Sequence, residues 1–188
     1  QMKTNDSLKK FKSYLSLELG FSKETINNYI YDVNSFFKRL VKNKNYQNVS
    51  DIRLKDIEKS DIREFLNNMI ISDGIKHNTR NRRLAGLKKY FDFLIEYKVI
   101  TRNPTDNIKR TKTKKKIPIY LTHNEVEKYL SAIKEYESKF KIKQRDLAMN
   151  IIMLYGGLRV SEVANLELNN INFEEKILKF TGKGNKKR

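Results

Sequence analysis

Through the first hundred residues, apolar side chains recur every three or four positions and rarely alternate. A helix can bury such a pattern on one side; a strand cannot. Leu8, Phe11, Leu15 and Leu19 mark a first helix over Ser7–Leu19, with Gly20 as its stop. Ser22 is placed to cap a second helix with Glu24 in its first turn, and Ile26, Tyr29, Val33, Phe36 and Leu40 line one face. Ser60 is placed to cap a third, with Ile62, Phe65, Leu66, Met69 and Ile70 inward. Asn78 or Thr79 opens a fourth, carrying Leu84, Leu87, Phe91 and Leu94. The expectation is a small all-α domain over residues 1–100.

Composition narrows what such a domain is for. Lys and Arg number 40 against 22 Asp and Glu, a net charge of +18. A cation of this density attracts polyanions, largely through counterion release. Nucleic acid is the expected partner; an anionic membrane surface is the weaker rival, because the helices also carry acids on their polar faces. Some of the lysine follows an AT-rich coding bias or serves only solubility, and an RNA-binding protein fits the same charge. No apolar run approaches the ~20 residues needed to span a bilayer. The polar start, Gln1 to Lys12, has no secretory pattern, and there are no cysteines for disulfides, thiolate metal sites or a thiol nucleophile. A cytoplasmic protein is expected.

Residues 101–118 break the periodicity. Between Thr101 and Lys116 lie seven basic residues and one acid, and Pro104 and Pro118 bracket the segment. This composition predicts an extended, self-repelling linker. The plainer reading is a solvated tether, the functional one a strap lying on a polyanion. Residues 119–188 form a second unit. Thr122–Glu125 fits a capping box, followed by a helix face at Val126, Leu130 and Ile133. Arg145 to Tyr155 is almost wholly apolar after Asp146, which predicts a buried helix ending at Gly156-Gly157. Ser161 is placed to cap a short helix through Leu166. Two short strands follow, around a Glu174-Glu175-Lys176 turn. After Ile177–Phe180 comes T-G-K-G-N-K-K-R, turn chemistry after which no partner strand is expected.

Two residues in this unit suit phosphate chemistry. In G-G-L-R-V-S-E, Arg159 sits between two helices, where both neighbours hold its planar fork on one target. The plainer reading pairs it with Glu162. Lys183, in a glycine-flanked turn, can swing to protonate a leaving oxygen; the plainer reading is a solvated turn lysine. Tyr29 and Tyr155 lie among apolar residues and are expected to pack in cores.

These motifs, taken together, resemble the tyrosine site-specific recombinases of the phage integrase and Xer class. T-x-x-x-Y-x-x-D-V-x-x-F at Thr25, Tyr29, Asp32, Val33 and Phe36 is similar to the family's core-binding domain. Arg82, Leu84, Leu87, Lys88, Phe91 and Asn103-Pro104 continue it. Y-G-G-L-R-V-S-E-V, then G-K-G-N-K-K-R, is the more specific pair. The resemblance implies a mainly α architecture: a SAM-like helical bundle plus the front of an α+β catalytic domain, with helices and a broken β-hairpin. It makes Arg159 the arginine that clamps the scissile phosphate, Lys183 the hairpin acid and Glu162 a brace for Arg159. It implies a 3′-phosphotyrosine intermediate without metal, nucleotide or other cofactor.

The resemblance also implies duplex DNA as partner. Arg82 and Lys88 match basic positions of the family's fourth helix. Arg80 and Arg83 lie near them, and Lys109, Arg110, Lys112 and Lys114 lie in the linker; phosphate contacts are expected from this set. The family's H-x-x-R pair, a further His or Trp and the tyrosine nucleophile would follow Arg188. His77-Asn78-Thr79-Arg80 spells H-x-x-R in the wrong domain. The expectation is therefore a chain interrupted at its hairpin, by an engineered cut or by proteolysis at the lysine-rich tip. Such a chain would be monomeric in solution, bind DNA and not cleave it, whereas full-length relatives act as tetramers. A non-enzymatic helical DNA-binding regulator and a type IB topoisomerase are the rival readings.

Overall fold

The computed structural model describes residues 2–113, 117–137, 139–182 and 186–187, and falls into two compact units, Gln1–Lys115 and Lys116–Arg188. The first is helical: α1 (Thr4–Ser13), α2 (Lys23–Asn43), α3 (Lys59–Ile71) and α4 (His77–Glu96), with short 3-10 turns at Val49–Asp51 and Leu54–Asp56. α1 does not run on regularly to Leu19, because its end widens into a π-helical turn, Tyr14–Glu18. Ser22 caps α2 by accepting from the Thr25 amide at 3.3 Å. The cap of α3 lies two residues before the expected Ser60. Glu58 is its N-cap, and the Glu58 amide donates to Asp61 Oδ2 at 2.9 Å, the bond by which the third helical residue reaches back in a capping box, so acids and not a serine frame this start. α4 starts at His77 rather than at Asn78 or Thr79.

The helices bury one aromatic-rich core. Phe11, Leu15, Val33, Phe37, Ile62, Leu66, Met69, Leu84, Leu87, Tyr90, Phe91, Phe93 and Leu94 are fully buried, each ring worth roughly 2–3 kcal/mol relative to exposure. Rings meet edge to face, as Phe36 with Phe65 at 5.4 Å and Phe37 with Tyr90 at 5.7 Å. The Tyr90 hydroxyl is matched to Ser7 Oγ at 2.5 Å, and Thr4 Oγ1 donates to the Ile52 carbonyl at 3.0 Å. α2 and α4 cross closely at Gly86: a Cβ there would lie 3.0 Å from Asp32 Oδ2 and 3.2 Å from Asp32 Cβ.

Between Asn103 and Thr111 the basic segment after α4 is not a free tether. Pro104, Thr105 and Ile108 are buried, and Ile108 belongs to the core just described. Asn103 Nδ2 donates to Asp92 Oδ1 of α4 at 2.7 Å, while Asn103 Oδ1 accepts from the Thr105 amide and hydroxyl at 2.9 and 2.6 Å. Charge repulsion predicts extension, but a few apolar and amide groups suffice to dock the segment.

The second unit carries α5 (His123–Glu135), α6 (Phe140–Gly156), α7 (Val160–Ala164), a β1–β2 pair (Ile171–Asn172 with Ile177–Leu178) and a β3–β4 pair (Thr181–Gly182 with Lys186–Lys187), both antiparallel. Thr122 and Glu125 form the expected capping box. Asn172 Oδ1 accepts from the Glu174 and Glu175 amides at 3.1 and 3.0 Å, shaping the expected turn. Thr181–Gly182 does meet a partner strand, since β4 pairs back onto β3. α6 corrects a second expectation. None of its residues is buried, Tyr155 is 67% exposed, and tyrosine-to-polar bonds tie the helix to α5: Tyr129 to Asn150 and Tyr136 to Asp146, each at 2.7 Å.

Candidate nucleic-acid interface

The docked segment brings basic residues from two parts of the first unit to one place. Asn81, Lys88 and Asp92 share a stripe of α4, seven and four residues apart. Asn103 holds Asp92 at one end of that stripe. Asn81 holds Thr111 at the other: Asn81 Nδ2 donates to the Thr111 carbonyl at 2.8 Å, and the Thr111 amide donates to Asn81 Oδ1 at 2.9 Å. The segment therefore runs along α4 for about 16 Å, eleven residues of helical rise. Its exposed Lys109, Arg110 and Lys112 are delivered to the first turns of the helix, where Arg80 Nη1 also donates to Asn81 Oδ1 at 3.4 Å. Lys114 lies outside the described residues.

The neighbouring arginines are anchored differently. Arg82 Nη1 donates to Asp32 Oδ2 at 2.7 Å, yet its side chain is 46% exposed, so part of its fork still faces outward. Arg83 is only 12% exposed. It donates to Ser35 Oγ at 3.0 Å, lies 5.7 Å from the Tyr31 ring centroid, and its Nε is 3.9 Å from Asp32 Oδ1 with neither atom hydrogen-bonded there. Burial raises the Asp32 carboxyl above its usual range, and Arg82 and then Arg83 pull it back only partly. Asp32 sits fully buried beneath both arginines. The sequence carries no local sign of the partnership between Asn81 and Thr111, thirty residues apart.

In the second unit, α6 ends in Gly157, whose left-handed φ of 65° lets the Gly157 amide donate back to the Met153 carbonyl at 3.1 Å. The chain then turns through buried Leu158 to Arg159, which is itself the N-cap of α7 in place of Ser161. Glu162 reaches back twice: Oε2 accepts from the Arg159 amide at 2.7 Å and Oε1 from Arg159 Nη1 at 2.9 Å. The Glu162 side chain is 8% exposed and that of Arg159 61% exposed, so the acid holds one edge of the guanidinium and leaves the rest outward. That geometry suits an anion with several oxygens. Lys183 lies outside the described residues. His77, the first residue of the H-x-x-R spelling, opens α4 in the first unit. Among the described residues no group of His, Cys, Asp and Glu could hold a metal ion, and no helix is long and apolar enough to cross a membrane.

Residues 8–98 match the phage integrase N-terminal SAM-like domain, and residues 119–188 match the phage integrase family. The tyrosine recombinase XerC of Leptospira interrogans (serovar copenhageni) is 30% identical over 98% of this chain, and that of Caldanaerobacter subterraneus 34% identical over 96%. The chain spans 57% and 53% of the length of those relatives. The fold is shared with a lambda integrase(75-356) dimer bound to a COC′ core site, at a TM-score of 0.71 and 21% identity, covering 100% of this chain and 61% of that one. It is shared also with XerH bound to difH in a pre-cleavage complex, at 0.62 and 23%, covering 98% and 52%.

Proposed function

This chain belongs to the phage integrase family of tyrosine recombinases, and on that premise we propose that it is the DNA-gripping part of a site-specific recombinase. The whole protein binds duplex DNA, cleaves it through a 3′-phosphotyrosine, and rejoins strands in a tetramer on the DNA. Residues 1–100 are the core-binding domain, residues 101–118 are the strap, and residues 119–188 are the front of the catalytic domain. Arg80, Arg82, Lys88, Lys109, Arg110, Lys112 and Lys114 contact phosphates, while Arg83, mostly buried, braces Asp32 beneath them. The observation that carries this reading is the basic segment docked along α4, which turns two separate charge clusters into one face. The DNA named with a lambda integrase structure of the same fold supports the same partner.

Arg159 clamps the scissile phosphate with the part of its fork that Glu162 leaves open, stabilising charge that builds on the phosphoryl oxygens. Lys183 protonates the departing 5′-oxygen. No cofactor is required, the 188-residue chain is a monomer in solution, and the protein works in the cytoplasm. The test is a band shift with duplex DNA over a salt series. Six to ten phosphate contacts make affinity fall about 10³–10⁵-fold between 50 and 200 mM salt, and Arg159→Ala removes about 0.9 from the slope. A flat titration sinks the footprint. A suicide substrate should yield no covalent adduct with this chain; an adduct overturns the roles given to its tyrosines.

A further inference from the structure

We infer that Asn81 is a positioning residue for DNA binding: its carboxamide fixes the strap backbone at Thr111 so that Arg110 and Lys112 stand beside Arg80 before DNA arrives. The inference rests on the DNA-binding reading above. Both ends of the Asn81 side chain are engaged, Nδ2 with the Thr111 carbonyl at 2.8 Å and Oδ1 with the Thr111 amide at 2.9 Å, and Arg80 Nη1 adds a third bond at 3.4 Å to that same oxygen. An amide spent this way is not placed to read a base edge. It acts as a short β-bridge between a helix and an irregular segment, satisfying a donor and an acceptor of one strap residue.

The arrangement holds like charges together. Arg80 meets the clamp itself, and Arg110 and Lys112 flank Thr111 in the chain. Mutual repulsion favours peeling the strap away, so a device that keeps it down works against electrostatics in the free protein. On a phosphate backbone that repulsion turns into attraction, and the ordering cost has already been met in folding. Upstream, Ile108 is buried and Asn103 bonds Asp92, so the strap is anchored as far as residue 108 without Asn81. Loss of the clamp therefore frees the stretch from Lys109 onward and leaves the core intact.

The test uses the whole chain with Asn81→Ala and, from the other side of the clamp, Thr111→Pro, which deletes the bonded amide without touching α4. Thr111 amide exchange is followed by NMR in the free unsubstituted and Asn81→Ala chains, and duplex DNA affinity over a salt series in every variant. In Asn81→Ala the Thr111 amide should exchange at least about tenfold faster. DNA affinity should fall roughly tenfold, with an unchanged salt slope because no phosphate contact has been deleted. Thr111→Pro should weaken binding to a similar degree, and the double variant should lose no more than either single one. By contrast, Lys112→Ala should lower the slope by about 0.9. Faster exchange at Thr111 with DNA affinity unchanged overturns the positioning role, as does full additivity in the double variant. If the unsubstituted chain fails to bind duplex DNA, the functional reading falls and this inference with it.

Discussion

At the scale of single residues, the most consequential group is one whose position in the motif says nothing about its work. Asp32 is buried beneath Arg82 and Arg83 and accepts from Arg82 at 2.7 Å. Asp32→Ala leaves the largely buried Arg83 without a nearby carboxylate and should cost about 2 kcal/mol in urea unfolding. Its pH signature has a definite sign. Because burial raises the carboxyl in the folded state, the native protein holds this proton to higher pH than the unfolded chain does. From about pH 4 upward, the native state then binds more protons than the unfolded state, so this group's contribution declines as pH rises and levels off once Asp32 is ionised. The stability of the parent minus that of Asp32→Asn should fall across that window; a rise would mean that the arginines outweigh burial. The tyrosines carry a related lesson. Tyr14 donates to Glu96 at 2.9 Å and is pushed up to about 12, first by burial and then by that carboxylate, so its hydroxyl keeps its proton.

At the scale of elements, the meeting of α2 and α4 decides whether the arginine face exists. Gly86 is a point of close approach, and Asp32, which a Cβ would meet at 3.0 Å, is pinned by Arg82 and has little room to yield. Gly86→Val should destabilise by about 2–3 kcal/mol and weaken DNA binding by displacing Arg82. Gly86→Ala should do less, since up to about 1 kcal/mol of helix propensity offsets the crowding. Chemical denaturation separates the two. What could be read in advance follows the range of the forces involved. The Ser22 cap, the Thr122–Glu125 box and the Gly156-Gly157 stop depend on neighbours three or four residues away and are written locally. The inward faces of α2 and α4 were equally legible, because burial on one side leaves a period. The Glu58–Asp61 start of α3 was not, since acids in that role look like surface charge. Nor was the docking of Pro104, Thr105 and Ile108, whose spacing has no period, or the Asn81–Thr111 clamp, which spans thirty residues. The burial expected of α6 failed for a different reason: an all-round apolar sequence says that a helix wants cover without saying what covers it.

At the scale of the whole molecule, the two units differ in what holds them. The entire buried apolar cluster, from Phe11 to Ile108, belongs to the first unit. In the second, Leu158 and Val163 are the only buried apolar residues among those described, and Phe140, Tyr155, Val160 and Phe173 are each more than 60% exposed. Its elements are tied by hydrogen bonds at solvent-exposed positions, such as Tyr129 to Asn150, which water replaces at little net cost. Stability should therefore be divided unevenly along the chain. In hydrogen exchange of the full chain, amides of α2 and α4 should open only with global unfolding, while those of α6 should exchange by local opening at least about a hundredfold faster. A chain of residues 1–113 retains the whole cluster and the Asn81–Thr111 clamp. It should unfold in one cooperative transition within about 3 °C of the main transition of the 188-residue chain. A larger loss would show that the second unit contributes packing to the first. Equal protection of α6 and α4 would show that the second unit is held by more than its own side chains. If both expectations hold, stability is concentrated in the first unit, and among the described residues Thr111 is the last of the basic segment whose backbone bonds to α4.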